Sequence, residues 1–296
     1  MRVEHADGIS DAAWDEFVVR HADGWWWHTS SWRAYQRSCG AADYSFALLD
    51  DYGEVFAIVP LLVRDGIAAP DGGPEPLVSP RVSDKGHVWK TIFAHASTVG
   101  LRRWIFAGRD RRDGLPVPAE DGQDERIRIL PLAGSELDLW RGVRRSYHAL
   151  IHRAEREYVI ERYRPGSSLD ELMQVHAQAA GRQTRPTETW DLMHAWASVG
   201  VGNIWVARDA DDAVTAFIYV YKWKGQAYYG HAATLAQNVT HALIWAAIKS
   251  LRADVSFLDL GAVSSADDDT KTRGIAMFKR GFGGYDAAVR RVNVTF

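Results

Sequence analysis

Cysteine is almost absent from this chain: Cys39 is the single one among 296 residues. One cysteine excludes a disulfide framework and a zinc site built from several cysteines, and it suits a reducing compartment. No apolar run is long enough to cross a bilayer, and the polar start from Met1 to Asp7 does not have the form of a signal peptide. We therefore expect a cytoplasmic protein without membrane insertion.

An excess of positive charge is also missing. The formal net charge is -3 and the isoelectric point is near 6.4, which excludes a globally basic nucleic-acid binder but leaves a local basic face possible. We therefore expect no DNA partner. With 47% hydrophobic and 25% charged residues, the chain can fill one large or two small cores. Nothing in it demands a partner chain, so a monomer is expected.

The phosphate-binding glycine loops of common nucleotide enzymes are lacking as well. Neither a Walker loop nor a nucleotide-binding GxGxxG occurs, so we expect no ATP or dinucleotide cofactor. His148 and His152 have the spacing of zinc ligands on a helix, but no glutamate or third ligand accompanies them. We expect no metal site.

The second half of the chain alternates helical and strand-like patterns. Its longest helical pattern runs from Ser135 to Tyr158, with an apolar arc at about 100° per residue. Helices and strands then follow in the order helix, helix, three strands, helix, strand, helix, strand. That order resembles the acyltransferase sheet called GNAT, a mixed sheet whose central strands splay apart. The expected segments are Leu169 to Arg182, Thr189 to Ser198, Asn203 to Arg208, Ala213 to Trp223, Gln226 to Ala232, Thr240 to Leu251, Val255 to Leu260, the Lys279 helix and Val289 to Phe296.

The first half predicts a degenerate copy of the same unit, by element order alone. A helix, a second short helix, a hairpin, a third helix and a strand precede an exposed polar segment from Gly108 to Gln123. Pro70 to Pro80 predicts a loop. We thus expect an α/β protein with mixed sheets in two tandem GNAT-like domains, 1–134 and 135–296, whose last strand packs back on the first domain.

One lysine near the end of the chain stands among apolar residues. The strand that ends in Asp259-Leu260-Gly261 leads to a helix in which Met277, Phe278 and Phe282 flank Lys279. A fixed ammonium near a carbonyl can stabilise the negative charge that develops during acyl transfer. The alternative is that Lys279 lies on the solvent side of a terminal helix.

Two further patterns have both a structural and a functional interpretation. Trp25 to Trp27 form either a hydrophobic anchor under the first sheet or a surface that stacks on a base or sugar. The long helix carries a positive stripe opposite its apolar arc, which either pairs with RNA phosphates or is a solvated face. The stripe comprises Arg141, Arg144, Arg145, His148, His152 and Arg156.

Together these segments resemble the Fem-type (FemABX) aminoacyltransferases, which are tandem GNAT-like proteins. The specific part runs from residue 228 to residue 284, and weaker similarity involves the aromatic segment Trp25 to Trp32, the basic helix Arg144 to Val159 and the helix end Ala179 to Arg185. The motifs that carry the resemblance are Tyr228-Tyr229-Gly230-His231-Ala232-Ala233, Leu243 to Ile248, Phe257-Leu258-Asp259-Leu260-Gly261, Gly274-Ile275-Ala276-Met277-Phe278-Lys279 and Phe282-Gly283-Gly284.

The resemblance implies an enzyme that moves an aminoacyl group from charged tRNA, its co-substrate, to an amine of a cell-wall precursor or small peptide. It implies no cofactor. Lys279 would stabilise the transition state, with the Phe278 backbone beside the reacting carbonyl and Tyr229 beside the acceptor amine. Acceptor contacts would come from Tyr228, Arg182, Arg185, Trp32, Gln36, His231 and Asp259, and tRNA contacts from Arg141, Arg144, Arg145 and Arg156.

Two departures from the family pattern bear on the acceptor. The chain is shorter than most members, and Gly230-His231 stands where the family commonly has a second aromatic or acidic residue. We therefore expect a small soluble acceptor, such as a peptide-antibiotic intermediate, as readily as a cell-wall precursor. His231 and Asp259 are candidate proton acceptors, each with a structural alternative as a half-buried strand residue or a strand-end cap.

Two other functions compete with this hypothesis. An acyl-CoA-dependent N-acyltransferase would need a pyrophosphate loop between a strand and a helix. Arg37 to Ala42 matches the loop's residue pattern but follows a helix, while Thr234 to Asn238, in the expected place, contains no glycine. A non-catalytic fold that only binds peptide or RNA is the third possibility. No Gly-x-Ser-x-Gly elbow is present to support a serine nucleophile.

Overall fold

A computed structural model describes residues 1–68, 73–108, 124–263 and 270–296. The chain forms two compact units. Unit 1 comprises residues 1–124 and 289–296, and unit 2 comprises residues 125–288. The expected division into acyltransferase domains at residues 134 and 135 stays a prediction, because a contact unit need not coincide with a repeated fold.

The helices of unit 1 begin at residues whose side chains cap them. Ser10, Thr29 and Asp84 each accept a hydrogen bond from a backbone N–H in the first turn, at 3.2, 3.2 and 2.9 Å. Such caps satisfy amides that have no partner inside the helix. The helices are α1 (Asp11–Arg20), α2 (Ser30–Ser38) and α3 (Lys85–Thr98).

The strands of unit 1 form two groups. One has the order β1-β3-β4-β7, with antiparallel pairs, and the other joins β2, β5, β6 and β8, where β6 and β8 are parallel. The last residues of β15 pair with β8, from Arg290 with Gly108 to Thr295 with Arg103. The strands are β1 (Arg2–His5), β2 (Ala42–Asp43), β3 (Phe46–Leu49), β4 (Val55–Val59), β5 (Leu62–Arg64), β6 (Ile67–Ala68), β7 (Leu77–Val78) and β8 (Arg103–Gly108).

The helices of unit 2 include a break that the sequence does not predict. The single helix expected from Ser135 to Tyr158 is wrong: Val143 and Arg144 are extended, and the Arg144 N–H donates to Gly281 O at 2.7 Å instead of continuing the helix. The helices are α4 (Glu136–Gly142), α5 (Arg145–Glu157), α6 (Asp170–Ala180), α7 (Thr187–Ser198), α8 (Val239–Leu251) and α9 (Thr270–Arg280).

The sheet of unit 2 has the order β10-β11-β12-β13-β14-β9, followed by the first residues of β15. All of the pairs with a described register are antiparallel except β13 with β14, which are parallel. The strands are β9 (Asp124–Pro131), β10 (Val159–Arg162), β11 (Gly202–Arg208), β12 (Val214–Trp223), β13 (Gln226–Thr234), β14 (Phe257–Val263) and β15 (Tyr285–Thr295).

The main core of unit 2 lies between one face of this sheet and helices α5 and α8. Alternate residues of β12 point into it, including Ile218 and Val220, and Ile151 and Leu243 come from the two helices. Phe217, Tyr219 and Tyr221 alternate with them and contact residues of α6 and α7 on the other face. This alternation of period two fixes which side chains of β12 and β13 can meet a site.

Most expected helices and strands occur within a few residues of their predicted bounds. The polar segment Gly108 to Gln123 lies outside the described residues from 109 onward, as do residues 70–72 of the predicted loop. Strands β1 and β10 were not predicted, because each is four residues long and both lie at an edge of their sheets. Short edge strands carry little periodic signal.

Candidate active site

Strands β13 and β14 separate after a short parallel pairing. The register covers Gln226 with Phe257, Ala227 with Leu258 and Tyr228 with Asp259, and β13 continues to Thr234. A register shift in β14 follows Asp259, and the Gly261 φ angle is +77°, a left-handed conformation that glycine adopts without strain. An opening of this kind exposes backbone groups at the centre of a sheet, where a ligand can reach them.

Lys279 reaches this opening from the last turn of α9. Its Nζ donates a hydrogen bond to Ala262 O at 2.7 Å. A Cβ added at Gly261 would lie 3.4 Å from Lys279 Nζ and 3.5 Å from Tyr228 Oη. The ammonium and the phenol therefore border the same small space over the Gly261 backbone.

Burial and nearby carboxylates act on Lys279 in opposite directions. Burial lowers the pKa of Lys279 from its ordinary value of 10.5, while the negative charges of Asp259 and Glu125 raise it by less. Asp259 is fixed in turn, because its Oδ1 accepts the Gly261 N–H at 2.6 Å. Lys279 is thus a half-buried cation near two carboxylates, with one of its three N–H bonds directed to a backbone carbonyl.

Of the apolar residues that flank Lys279 in the sequence, Met277 faces solvent and is 55% exposed. Phe278 and Phe282 do pack inward, in an aromatic cluster with Tyr147 and His241. The Phe278 carbonyl accepts from Tyr147 Oη at 3.4 Å. The cluster fixes one side of α9, so the helix is held from the α5 and α8 face of the sheet.

A second anchor for α9 is the Arg128 side chain on β9. Its guanidinium donates to Gly283 O at 2.8 Å, to Gly284 O at 3.0 Å and to Asp286 Oδ1 at 2.7 Å. Arg280 donates to the other Asp286 oxygen at 3.0 Å. These bonds fix the turn that follows α9, and they lower the pKa of Asp286 against the opposing effect of burial.

Tyr228 and Tyr229 lie on opposite faces of β13, although the sequence presents them as a pair. Tyr229 packs against the main core, and burial raises its pKa. Tyr228 is the one whose hydroxyl lies beside Lys279 and Gly261. The predicted catalytic role of Tyr229 stays a prediction, whereas the geometry favours Tyr228 as the tyrosine next to the ammonium.

His231 belongs to a hydrogen-bonded group on the α6 and α7 face. Its Nδ1 accepts from Arg185 Nη2 at 3.3 Å, and its Nε2 lies 2.8 Å from Tyr221 Oη. The same Arg185 nitrogen lies 3.4 Å from His176 Nε2. Burial, Arg185 and His176 all lower the pKa of His231, well below 6.5. Because both ring nitrogens are engaged, His231 in this arrangement is not a proton acceptor for an incoming amine.

The remaining predicted acceptor residues are distributed differently. Arg182 is exposed just beyond the end of α6. Trp32 and Gln36 belong to α2 of unit 1, where they are only 4% and 0% exposed, and Trp32 stacks on Tyr35. Trp25 and Trp26 are buried there as well, which agrees with the anchor interpretation. The acceptor roles of Trp32 and Gln36 stay predictions.

The predicted single basic stripe is wrong, because α4 and α5 are separate helices. His148 stacks on Trp140 at 4.0 Å, and the Arg144 guanidinium lies 5.4 Å over the Tyr147 ring. Arg141 is across the break, 3.6 Å from Asp138. Arg145 and Arg156 remain exposed on α5. The predicted tRNA contacts are therefore not on one continuous surface of one helix.

Other features of the described residues bear little on this site. No cluster of three histidine, cysteine or carboxylate side chains suited to a metal ion occurs among them. In residues 1–68, 73–108, 124–263 and 270–296, no helix combines the length and hydropathy of a bilayer span. A surface cavity of about 550 Å³ is lined by Arg162, Arg164, Glu171 and Arg208, and its lining does not include Lys279.

Comparison with solved structures gives the fold. FemX superposes with a TM-score of 0.68 at 14% identity, over 100% of this chain and 98% of that one. The chain has the Fem-type fold. The C-terminal domain of a protein described as a lysylphosphatidylglycerol synthetase of Agrobacterium fabrum gives 0.62 at 15% identity, over 96% and 92% of the two chains. A similar protein of Bacillus licheniformis gives 0.58 at 14%, over 88% and 90%.

Comparison of the amino-acid sequence alone gives no such relatives. No protein-family model and no curated protein matches the chain. At these identities the Fem-type fold is what the comparison establishes. The sequence resemblance predicts that GNAT-like fold correctly, although the residues common to both are few.

Several residues of the site region were not predicted from the sequence. His241, Arg128 and His176 come from α8, β9 and α6, and they meet the other residues only through tertiary contacts. Arg128 alternates with Ile127 and Ile129 on an apolar strand, which is the one signal that could have indicated a buried role.

Proposed function

We propose that this chain is an aminoacyl-tRNA-dependent aminoacyltransferase. It forms an amide bond on the amine of a peptide, a peptidyl-nucleoside or a peptidoglycan precursor. The observation that carries the proposal is the place of Lys279: a half-buried ammonium at the opening between β13 and β14, beside Tyr228 Oη. The Fem-type fold supports an acyltransferase activity.

The reaction needs little beyond alignment and charge stabilisation. The acceptor amine attacks the ester carbonyl, a C–N bond forms, the C–O bond to the ribose breaks, and the amine proton ends on the ribose oxygen. Negative charge appears on the carbonyl oxygen in between. Lys279 donates one N–H to Ala262 O and has two others that can turn toward that oxygen.

The chemistry requires no cofactor, because transfer from an ester to an amine is downhill. Alignment of two substrates can lower a barrier by about 7–11 kcal/mol, and one oxyanion donor by roughly 3–4 kcal/mol. The half-buried site strengthens the second effect, since an ammonium stabilises charge better where water is partly excluded. Burial lowers the pKa of Lys279, and the charges of Asp259 and Glu125 oppose this shift and so favour the protonated donor.

An acyl-CoA donor is the main alternative. The turn before α8 is Thr234 to Asn238, where Thr234 Oγ1 donates to Ala236 O and Asn238 takes a left-handed conformation with φ of +63°. It contains no glycine to let a pyrophosphate approach the backbone closely. This turn favours a donor other than CoA.

A donor-binding screen tests the proposal. Purified protein is titrated with pools of aminoacylated tRNA and, separately, with acetyl-CoA, at about 50 and 200 mM salt. We expect salt-sensitive binding of charged tRNA and none of acetyl-CoA. Binding of acetyl-CoA alone would refute the tRNA-dependent activity.

Transfer is then measured with three acceptors. They are the peptidoglycan stem pentapeptide that contains lysine, the same peptide on its uridine-nucleotide sugar, and vesicles of phosphatidylglycerol. We expect transfer to a peptide amine. Transfer to the vesicles alone would contradict the amide-forming activity and indicate a hydroxyl acceptor. Lys279→Ala serves as the control that should bind the donor but transfer it about 10²–10³-fold more slowly.

A further inference from the structure

The described contacts of the Arg185 side chain include an aromatic ring, a methionine sulfur and two histidines. Arg185 precedes α7, and its guanidinium lies 5.3 Å over the Trp190 ring, while Nη1 lies 3.5 Å from Met193 Sδ. Its Nη2 is within 3.3 Å of His231 Nδ1 and 3.4 Å of His176 Nε2. One nitrogen of a cation is thus directed at two imidazoles from two different elements, β13 and α6.

The protonation states of both rings follow from this geometry. A guanidinium only donates, so the nitrogen of each imidazole that faces Arg185 must carry a lone pair. His231 then carries its proton on Nε2 and donates it to Tyr221 Oη at 2.8 Å. His176 carries its proton on Nδ1 and donates to Thr184 Oγ1 at 3.2 Å. The network assigns two tautomers that differ between the two histidines.

The backbone holds His231 in this place. A register shift in the pairing of β12 and β13 falls next to Gly230, where an added Cβ would lie 2.3 Å from the Tyr221 ring. Only glycine allows the Tyr221 ring to lie against the strand here. The Tyr221 hydroxyl therefore meets the His231 ring that follows one residue later.

We propose that His176 and His231 are positioning residues that hold the Arg185 guanidinium between two neutral imidazole acceptors. One consequence of this inference rests on the proposed function. An arginine held in this way on the α6 and α7 face of β13 binds an anionic group of the acceptor in one orientation. The Nε2–H tautomer of His231 and the Nδ1–H tautomer of His176 follow from the hydrogen bonds alone and do not depend on the proposed function.

The electrostatic surroundings agree with the geometry. Burial first, and then the charge of Arg185, lower the pKa of His176 and of His231, and His176 lowers that of His231 further. The other groups that face the His231 ring are Tyr219 and Tyr221 of β12. Protonating either ring would remove a hydrogen-bond acceptor and place a second cation beside the guanidinium, so both rings stay neutral at neutral pH.

Nitrogen-15 NMR of histidine-labelled, full-length protein tests the pair directly. We expect His231 as the Nε2–H tautomer and His176 as the Nδ1–H tautomer, each with a pKa below the ordinary histidine value in a titration from about pH 8 to pH 5. Either ring in the other tautomer, or titrating with an ordinary pKa near 6.5, would overturn the inference. These spectra need no variant and no substrate.

The variant Arg185→Leu tests the cause. Removing the guanidinium should raise the apparent pKa of His176 and release its tautomer, because the charge of Arg185 lowers that pKa in addition to burial. The matched control is Arg182→Leu, an exposed arginine three residues earlier, which should change neither. Unchanged His176 signals in folded Arg185→Leu would show that the arginine does not set the state of the rings.

Two substitutions of His231 separate its two hydrogen bonds. His231→Asn keeps an oxygen acceptor near the Nδ1 position, and His231→Gln keeps a donor near the Nε2 position. With charged tRNA and the stem pentapeptide, we expect His231→Gln to raise KM for the peptide about tenfold with kcat nearly unchanged, and His231→Asn to stay within about threefold of the parent.

Equal effects of the two His231 variants would overturn the positioning role, since a merely structural histidine does not distinguish its two nitrogens in this way. Failure of the parent protein to transfer any aminoacyl group refutes the proposed function instead. The tautomers seen by NMR then still decide whether the two histidines hold Arg185.

Discussion

Each unit places a cation next to aromatic rings, and the two cations are held differently. In unit 1, Arg33 is 3% exposed, lies 4.7 Å from the Trp14 ring centroid and donates from Nε to Asp43 Oδ2 at 3.0 Å. In unit 2, Lys279 is half-buried, and its Nζ donates a hydrogen bond to the backbone carbonyl of Ala262 at 2.7 Å. A buried cation with a directly bonded carboxylate is committed to the fold. Lys279 keeps donors that can serve a ligand.

The aromatic residues differ in the same way. Trp25, Trp26 and Trp32 of unit 1 are each at most 8% exposed, and they surround the start of α2. Tyr228 and Phe278 of unit 2 are half-buried near an opening between strands. Residue type alone therefore does not separate a core from a site. What separates them is whether the surrounding sheet is closed.

The largest expected effect comes from removing the carboxylate that is bonded to Arg33. Asp43→Ala should lower the free energy of unfolding by about 3–5 kcal/mol, because it leaves a buried guanidinium without its bonded carboxylate. Urea denaturation measures the change. Asp7→Ala is the matched control: Asp7 is exposed and lies 3.9 Å from Arg33, so its loss should cost less than about 1 kcal/mol. Equal costs would contradict the assignment of Arg33 to the core.

The complementary change in unit 2 should affect activity and not stability. Lys279→Ala should lower kcat by about 10²–10³-fold, as expected for the loss of one oxyanion donor, with binding of charged tRNA nearly intact. Single-turnover transfer and a tRNA titration measure the two effects. Lys271→Ala, an exposed lysine of the same helix, should leave both unchanged. Unchanged turnover in Lys279→Ala would remove this lysine from the mechanism.

The pH dependence of stability and of turnover should also distinguish Lys279 from Arg33. Because burial lowers its pKa, the unfolded chain holds a proton that the folded protein releases at lower pH, so stability rises with pH across the window below 10.5. Turnover should fall over the same window, as the donor loses its proton. Lys279→Arg should move the alkaline limb of kcat upward, since a guanidinium stays protonated there. A limb at the same pH in both proteins would assign it to another group.

The smallest expected effect concerns the exposed arginines of α5. Arg145→Glu should raise KM for charged tRNA several-fold and reduce its dependence on salt, if Arg145 contacts phosphate. Arg153→Glu changes the net charge equally on the same helix, but Arg153 is already paired with Glu157 at 2.7 Å, so we expect a smaller effect. Equal effects would mean that α5 acts only through net charge.

The elements could be predicted from the sequence where local signals were strong. The third helix expected in the first half is present as Lys85–Thr98, and Asp84 caps its start. The break between α4 and α5 could not be predicted, since Arg144 leaves the helix to bond with Gly281, more than a hundred residues away. A local periodic pattern contains no information about such a partner.

The site shows the same limit. Lys279 and Asp259 could be singled out from the sequence because a lysine among aromatic residues and an Asp-x-Gly strand end are visible patterns, whereas Tyr228 was indicated only by the family resemblance. Arg128 and His176 were not predicted, because tertiary hydrogen bonds connect them to the other residues of the site region. Which of two adjacent tyrosines lies beside Lys279 depended on the face of β13, which is a property of the sheet.

The sequence by itself determined the α/β class, the order of the unit 2 elements from α6 to β15 and the residue that could stabilise an oxyanion. Periodicity, capping residues and composition act within a few residues, so they survive without tertiary contacts. Only the tertiary structure decided that β13 and β14 separate after Tyr228, that Arg185 meets two histidines, and that the predicted basic stripe is divided. Those outcomes depend on which distant backbone and side-chain groups form hydrogen bonds with one another, and no local pattern specifies that pairing.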